Sequence, residues 1–130
     1  YAAVGARAGH PALQGSMTLE TFASLGHVLV APTGERRADP RLTALGVHRK
    51  VVAVVPRFLT AFAVVGSTDA IVMAPRPLAR RYAEGFGLQV MDPPFEAAEL
   101  EVSAIRRDGP PADPGIDWLL SRIREAASVD

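Results

Sequence analysis

The sequence predicts a single α/β domain with an open sheet and helices packed against it. Short apolar runs alternate along the 130 residues with longer segments whose apolar residues recur every three or four positions. The composition, 48% apolar and 22% charged, is typical of a globular domain. A chain of this length buries a core large enough to fold without disulfides or metal, in keeping with the absence of cysteine.

The first half of the chain contains three predicted strands and two predicted helices. Residues 1–7 are mostly apolar and lead into a Gly-His-Pro turn, and residues 27–31 form a buried type of strand. Helices are predicted at 16–26, which ends on a glycine, and at 40–45. Because the β-branched run 51–55 is apolar on both faces, we expect a central strand with parallel pairing.

The alternation continues to the end of the chain. Pro56 opens a predicted helix that ends at Gly66. A buried strand at 69–74 then leads into a helix that begins at Pro75 or Pro77. The remaining predicted elements are a short strand at 88–91, a strand with one solvent-exposed face at 99–107, and a final amphipathic helix from Pro114.

The charge balance excludes several partners for this chain by itself. The 14 Lys and Arg residues equal the 14 Asp and Glu residues, so the basic field that non-specific binding to DNA or an anionic membrane requires is missing. The longest apolar stretch, 51–66, is interrupted by Pro56 and Arg57 and is too short to span a bilayer. The chain opens on Tyr1 without the pattern of a signal peptide, and we expect it to be a segment of a longer protein.

Residue types that carry catalysis or bind metals follow no known pattern. His10, His27 and His48 lack the spacing of a metal site and have no cysteine to complete one. The sequence contains neither a glycine-rich phosphate loop nor a nucleophile elbow. We therefore expect a protein that is not an enzyme and that uses no metal and no cofactor.

Ligands of an open α/β sheet bind beside the carboxyl ends of its strands. This rule selects three loops, at residues 31–34, 56–59 and 74–75. Arg57 is the first candidate because it follows a buried strand at the start of a helix, where a guanidinium and backbone N–H groups can bind an anion. A solvated surface arginine is an equally good interpretation, and Thr33 fits an ordinary turn slightly better than a ligand contact.

Several short segments occur in an order that points to one family. They are Arg7-x-Gly9-His10-Pro11, Met17-Thr-Leu-Glu-x-Phe22, His27-Val-Leu-Val30, Val54-Val-Pro56-Arg-Phe58 and Thr68-Asp-Ala-Ile-Val-Met-Ala-Pro75. In this order, over nearly the whole chain, they resemble the effector-binding domain of LysR-type transcriptional regulators. The run Val-Pro-x-Phe, followed by Thr-Asp, is most similar to family members that sense small aromatic acids.

The resemblance implies a type II periplasmic-binding-protein-like fold, in which two crossover strands join two subdomains around a cleft. The crossovers would be residues 1–8 and 89–96, the second subdomain would be residues 9–88, and residues 97–130 would return to the first subdomain. The DNA-binding winged helix-turn-helix of the family and the opening of the first subdomain are absent from this chain.

The resemblance also implies a bacterial, cytoplasmic regulator in which a small effector shifts the conformation of a DNA-bound homo-oligomer, a dimer or tetramer. The effector would be a small carboxylate, aromatic acids included, and promoter DNA would be bound only through the absent N-terminal domain. Arg57 stands where aromatic-acid sensors of the family often carry histidine. The implied cleft residues are Ala31, Pro32, Thr33, Gly34, Arg57, Phe58, Ala74, Pro75, Ile105 and Arg106.

Three other functions stay open. A solute-binding protein for transport shares this architecture but needs an export signal or a lipid anchor. A small α/β enzyme would need a nucleophile and base brought together from distant segments. The third alternative is a partial domain without independent activity.

Overall fold

The computed structural model describes residues 2–35, 39–97, 103–107 and 113–127. They divide into two compact units, Tyr1–Leu100 and Glu101–Asp130. The first unit holds five strands and four helices of the described residues: β1 (Ala2–Arg7), α1 (Leu19–Ser24), β2 (Gly26–Val30), α2 (Pro40–Ala44), β3 (Lys50–Val55), α3 (Phe58–Gly66), β4 (Ala70–Pro75), α4 (Arg76–Tyr82) and β5 (Leu88–Met91). The second unit holds α5 (Pro114–Ala127).

The five strands form one mixed sheet in the order β3-β2-β4-β1-β5. Strand β2 pairs in parallel with β3 and β4, whereas β1 runs antiparallel to β4 and β5. The expected parallel pairing of β3 is therefore confirmed. Strand β1 covers most of the first predicted crossover segment, 1–8, but β5 covers only the first three residues of the second, 89–96, and the assignment of subdomains stays a prediction.

The expectation of a central position for β3 is wrong, because β3 lies at the edge of the sheet. Its apolar run on both faces suggested two covered faces, yet Val52 is 53% exposed. Ala53 and Val55 explain the rest of the apolar pattern, because they pack against the core beside α3. A β-branched run thus indicates a strand here without indicating its place in the sheet.

Alternating side chains on the central strands supply two cores, one on each face of the sheet. Val72 of β4 belongs to the first core, which includes Phe62 of α3, and Ile71 belongs to the second, which includes Phe22 of α1. All four of these side chains are fully buried. The sheet is therefore covered on both faces at its centre, as expected for an α/β domain.

Helix starts differ between the two faces. Thr18 precedes α1, and its hydroxyl accepts a hydrogen bond from the Thr21 N–H at 3.1 Å. Asp39 precedes α2, and its carboxylate accepts one from the Arg41 N–H at 3.0 Å. Helix α3 has Arg57 at the corresponding position, with no side-chain capping bond. The sequence suggested that Pro56 lies in the first turn of this helix. In the structure Pro56 lies before the helix, which begins at Phe58.

The second unit corrects one further expectation. Residues 103–107 are not in a strand, although the alternating pattern predicted one over 99–107, and residues 99–102 lie outside the described residues. An alternating pattern forms a strand only where a neighbouring strand completes the hydrogen bonds, and residues 103–107 pair with no described strand. The predicted final helix is confirmed as α5. Among the described residues, no helix is both long and apolar enough to cross a membrane.

Candidate functional site

A cavity of about 390 Å³ opens beside β2 and the loop that follows it. We call it the polar cavity, because charged and polar side chains form part of its wall. Its volume lies within the range of small-molecule sites. The lining residues are His27, Val28, Leu29, Val30, Ala31, Pro32, Thr33, Glu35, Arg49, Phe58 and Met73.

A second cavity of about 510 Å³ adjoins the first at the start of α3. We call it the apolar groove, because Arg57 is the one charged residue among the described residues that line it. Its lining residues are Val30, Pro32, Pro56, Arg57, Phe58, Leu59 and Leu78. Val30, Pro32 and Phe58 line both cavities, so the two are contiguous. Together they form a site with a polar part and an apolar part, as is usual for small-molecule ligands.

His27 forms the buried part of the polar cavity wall and is 1% exposed. Its Nε2–H donates to the Phe22 carbonyl at 2.8 Å, since a carbonyl oxygen can only accept. The ring also packs edge-on against the Phe22 ring, with centroids 4.6 Å apart. Burial lowers the pKa of His27, and the Arg49 charge lowers it further against the opposing effect of the Phe22 carbonyl. The imidazole is therefore neutral at pH 7.

Arg49 supplies the positive charge of the polar cavity. It lies directly before β3 and is partly buried. Burial lowers the pKa of Arg49, while the Asp39 carboxylate opposes that effect. An arginine nevertheless stays protonated at any physiological pH. Glu35 also lines the cavity, and both Glu35 and Arg49 already take part in interactions within the chain.

Arg57 has different surroundings at the mouth of the apolar groove. Its backbone carbonyl accepts from the Ala61 N–H at 3.2 Å at the start of α3, while its side chain is exposed to solvent. The adjacent Phe58 is half-buried and packs towards Phe62 of the core, with ring centroids 6.5 Å apart. Arg57 is thus a solvated cation beside an apolar surface.

The structure brings together five of the ten residues that the resemblance assigned to a cleft. Ala31, Pro32, Thr33 and Phe58 line the polar cavity, and Arg57 joins Pro32 and Phe58 in the apolar groove. Two of the three predicted loops, 31–34 and 56–59, thus border these cavities, and the binding of an effector by their residues stays a prediction.

The other five residues have different places, and their role stays a prediction. Gly34 closes a turn at φ 74°, donating its N–H to the Ala31 carbonyl at 3.0 Å. Ala74 is buried in the core beside α3 and α4, and Pro75 ends β4. These three line neither cavity. Ile105 and Arg106 lie in the second unit.

Sequence reasoning missed His27, Arg49, Glu35 and Met73 as cavity residues. Arg49 comes before a strand and His27 near the start of one, so the search at strand carboxyl ends passed over both. The one feature of the sequence that could have indicated the cavity is His27, a single polar residue near the start of an otherwise apolar strand. The described residues include no group of three or more His, Asp or Glu that could hold a metal ion.

The LysR substrate binding domain matches residues 2–128 of the chain. The chain is 37% identical over 126 residues to the HTH-type transcriptional regulator SyrM of Rhizobium meliloti (strain 1021). This similarity covers 95% of the chain and 39% of the length of SyrM.

Two solved structures are similar in both sequence and fold. The regulatory domain of MexT, a transcriptional activator in Pseudomonas aeruginosa, superposes with a TM-score of 0.79 at 32% identity, covering 94% of the chain and 61% of that structure. A probable transcriptional regulator from the same organism, PA0477, gives a TM-score of 0.71 at 37% identity, covering 75% of the chain and 33% of that structure. The shared fold is the periplasmic-binding-protein-like fold of LysR regulatory domains.

Proposed function

Because the chain belongs to the LysR-type family of transcriptional regulators, in which it corresponds to the effector-binding domain, we propose that it senses a small carboxylate in the joined polar cavity and apolar groove. The observation that carries this proposal is the composition of the joined site. A partly buried arginine and a fully buried, neutral histidine lie at one end, and apolar side chains around Phe58 lie at the other. A small acid with an apolar body matches both ends.

The size of the site supports a small molecule over a peptide or a second protein. Each cavity falls in the range of about 300–1,000 Å³ that is usual for small ligands. Phe58 borders both, so an aromatic or aliphatic body placed against its ring would contact the polar and the apolar parts at once. Aromatic acids are for this reason the first ligands to test.

The regulatory consequence belongs to the whole regulator. SyrM and its relatives are HTH-type regulators by name, and the chain itself has no net charge with which to attract DNA. We propose that promoter DNA is bound through a helix-turn-helix domain of the regulator, as a homo-oligomer, and that the effector shifts the population of its conformations. Typical coupling of this kind is about 1–3 kcal/mol.

A thermal-shift screen tests the proposal with pairs of acids and neutral amides, such as benzoate with benzamide and phenylacetate with phenylacetamide. A ligand at about 100 times its Kd stabilises the folded chain by about 2.7 kcal/mol and should raise Tm by roughly 10 °C. The Arg81→Ala variant removes an exposed arginine from the last turn of α4 and serves as a control that keeps the shift.

Carboxylates that raise Tm more than their matched amides, in the chain and in the control alike, support an acid-sensing site. If no acid at millimolar concentration raises Tm, or if each amide raises it as much as its acid, carboxylate sensing by this chain is wrong.

A further inference from the structure

We propose that Arg49, and not Arg57, binds the anionic group of the effector, so that the ligand enters the polar cavity with its carboxylate first and leaves its apolar body against Phe58. The inference rests on the proposed function, because it assigns the charged end of the same ligand to one part of the site. The sequence favoured Arg57, which lines the apolar groove, and the inference replaces it with Arg49, which lines the polar cavity.

The first argument is the exposure of the two arginines. Arg57 is exposed to solvent, whereas Arg49 is partly buried in the wall of a cavity. Ion pairs between exposed groups are screened by water and contribute little, whereas an ion pair in a less polar environment is stronger. A carboxylate therefore gains more from contact with Arg49.

The second argument is that the two arginines also differ in how strongly their side chains are restricted before a ligand binds. Arg49 takes part in interactions within the chain, and burial restricts its side chain. A guanidinium has five N–H donors, so one arginine can donate hydrogen bonds both to groups of the chain and to a ligand carboxylate. Less conformational entropy is then lost on binding than for an arginine that is free in solvent.

The third argument is the balance of charge around Arg49. Burial keeps His27 neutral, against the opposing effect of its bond to the Phe22 carbonyl, so the ring does not repel Arg49 as an imidazolium would. The Asp39 carboxylate raises the pKa of Arg49 and so helps to keep the guanidinium protonated, while Glu35 in the same wall competes with the ligand carboxylate for it. The Thr33 hydroxyl offers an uncharged donor in the same wall.

The fourth argument is the shape of the wall. Leu29, Met73 and Phe58 are apolar residues that line the same cavity as Arg49. An acid whose carboxylate contacts Arg49 can therefore bury its apolar part at once. An acid held at Arg57 would place its charge at the solvent side of the groove.

Isothermal titration calorimetry with benzoate and benzamide distinguishes the two arginines. In the Arg49→Gln variant we expect benzoate affinity to fall by about 10- to 100-fold, because a charged hydrogen bond is lost, and the preference over benzamide to disappear. In Arg57→Gln we expect a change of less than about threefold. The Arg49→Lys variant keeps the cation and should recover part of the preference for the acid.

Chemical labelling of the unaltered chain provides a measurement that needs no variant. Phenylglyoxal modifies arginines, and peptide mass spectrometry identifies which of the 13 arginines has reacted. Benzoate should slow the modification of Arg49 and leave the rate at Arg57 unchanged. This result would support the assignment even if Arg49→Gln failed to fold.

Three results contradict the inference, and they are distinguishable. Loss of benzoate affinity in Arg57→Gln with affinity retained in Arg49→Gln would assign the carboxylate to the groove. Protection of Arg57 and not Arg49 from phenylglyoxal would do the same. If the unaltered chain binds no benzoate or other small carboxylate, the proposed function is wrong and this inference is wrong with it. If the chain binds benzoate with an affinity that does not change in Arg49→Gln, only this inference is wrong.

Discussion

The polar cavity and the apolar groove share Val30, Pro32 and Phe58, but they differ in the cores that support them. His27 in the polar cavity packs on Phe22, in the core beside α1 and α2. Leu78 in the groove packs against the other core, beside α3 and α4. The polar cavity is thus supported by both cores, since Val28 of the first core also lines it, whereas the packed residues of the groove belong to the first core.

The charged groups of the two parts also differ in how the sequence reveals them. Arg57 follows a strand and starts a helix, which is the usual place for a ligand contact in an α/β sheet. Arg49 precedes a strand, and it reaches the cavity because β2 and β3 lie side by side. The comparison teaches that a candidate chosen from chain position alone can be the more exposed of two arginines that line one site.

The largest expected effects are losses of stability caused by substitutions in the two cores. Replacing Phe22 by Ala should cost about 3–5 kcal/mol of the free energy of unfolding, and replacing Phe62 by Ala should cost a similar amount, because both side chains are fully buried. Equilibrium urea unfolding of both variants measures these losses.

Milder variants then show which core supports which part of the site. Phe22→Leu should weaken benzoate binding more than Phe62→Leu, since it removes the edge-on ring contact that positions His27, although the backbone carbonyl of residue 22 still accepts from the imidazole. A stronger effect of Phe62→Leu would mean that the groove, and not the polar cavity, dominates binding.

A medium effect concerns pH and the polar cavity alone. Burial lowers the pKa of His27 below 6.5, so the unfolded chain takes up a proton at this residue before the folded chain does. Stability that depends on neutral His27 is therefore complete above pH 6.5 and is lost as the pH falls below it, by at most about 1.4 kcal/mol per pH unit.

Urea unfolding of the chain and of His27→Gln between about pH 7.5 and about pH 5 measures that loss. The variant should lose less stability per pH unit than the unaltered chain. His48 is exposed, so His48→Gln is the matched control and should behave as the unaltered chain does. Equal slopes for all three proteins would show that His27 does not titrate differently on folding.

The smallest effect concerns the start of α3, beside the apolar groove. Arg57 occupies a position that favours Ser, Thr, Asp or Asn, and its side chain makes no capping bond, unlike Thr18 and Asp39 before α1 and α2. Arg57→Ser should therefore raise the free energy of unfolding by about 0.5–1 kcal/mol.

The same substitution in the last turn of α4, Arg81→Ser, is the control and should lower stability slightly, because no cap is gained there. Thermal and urea unfolding of both variants measure the difference. A loss of stability in Arg57→Ser would mean that the Arg57 side chain makes a stabilising contact that the start of α3 requires.

Much of the fold is predictable from the sequence because its local signals agree with one another. Apolar runs between turn residues predicted all five strands of the first unit, and Gly34 and Gly46 in the turns after β2 and α2 have positive φ, which glycine adopts readily. Their order along the chain also allowed the family resemblance. Confirmation of that family followed from the match over residues 2–128.

The parts that sequence reasoning missed depend on which strands become neighbours. The edge position of β3 and the exposure of Val52 follow from the pairing order. The register between β2 and β3 shifts between His27 and Val28, and nothing in either strand alone shows this irregularity. The contribution of Arg49 to the cavity is a consequence of the same pairing. Local patterns therefore predicted the groove better than the polar cavity.

The central claim is that the charged end of the ligand binds on the His27 and Arg49 side of the shared wall. A crystal structure of the chain with 4-bromobenzoate tests it directly, since anomalous scattering from bromine fixes the direction of the ligand. The account predicts the carboxylate within hydrogen-bonding distance of the Arg49 guanidinium and the bromophenyl ring against Phe58. A carboxylate on Arg57, with no ligand in the polar cavity, would contradict it.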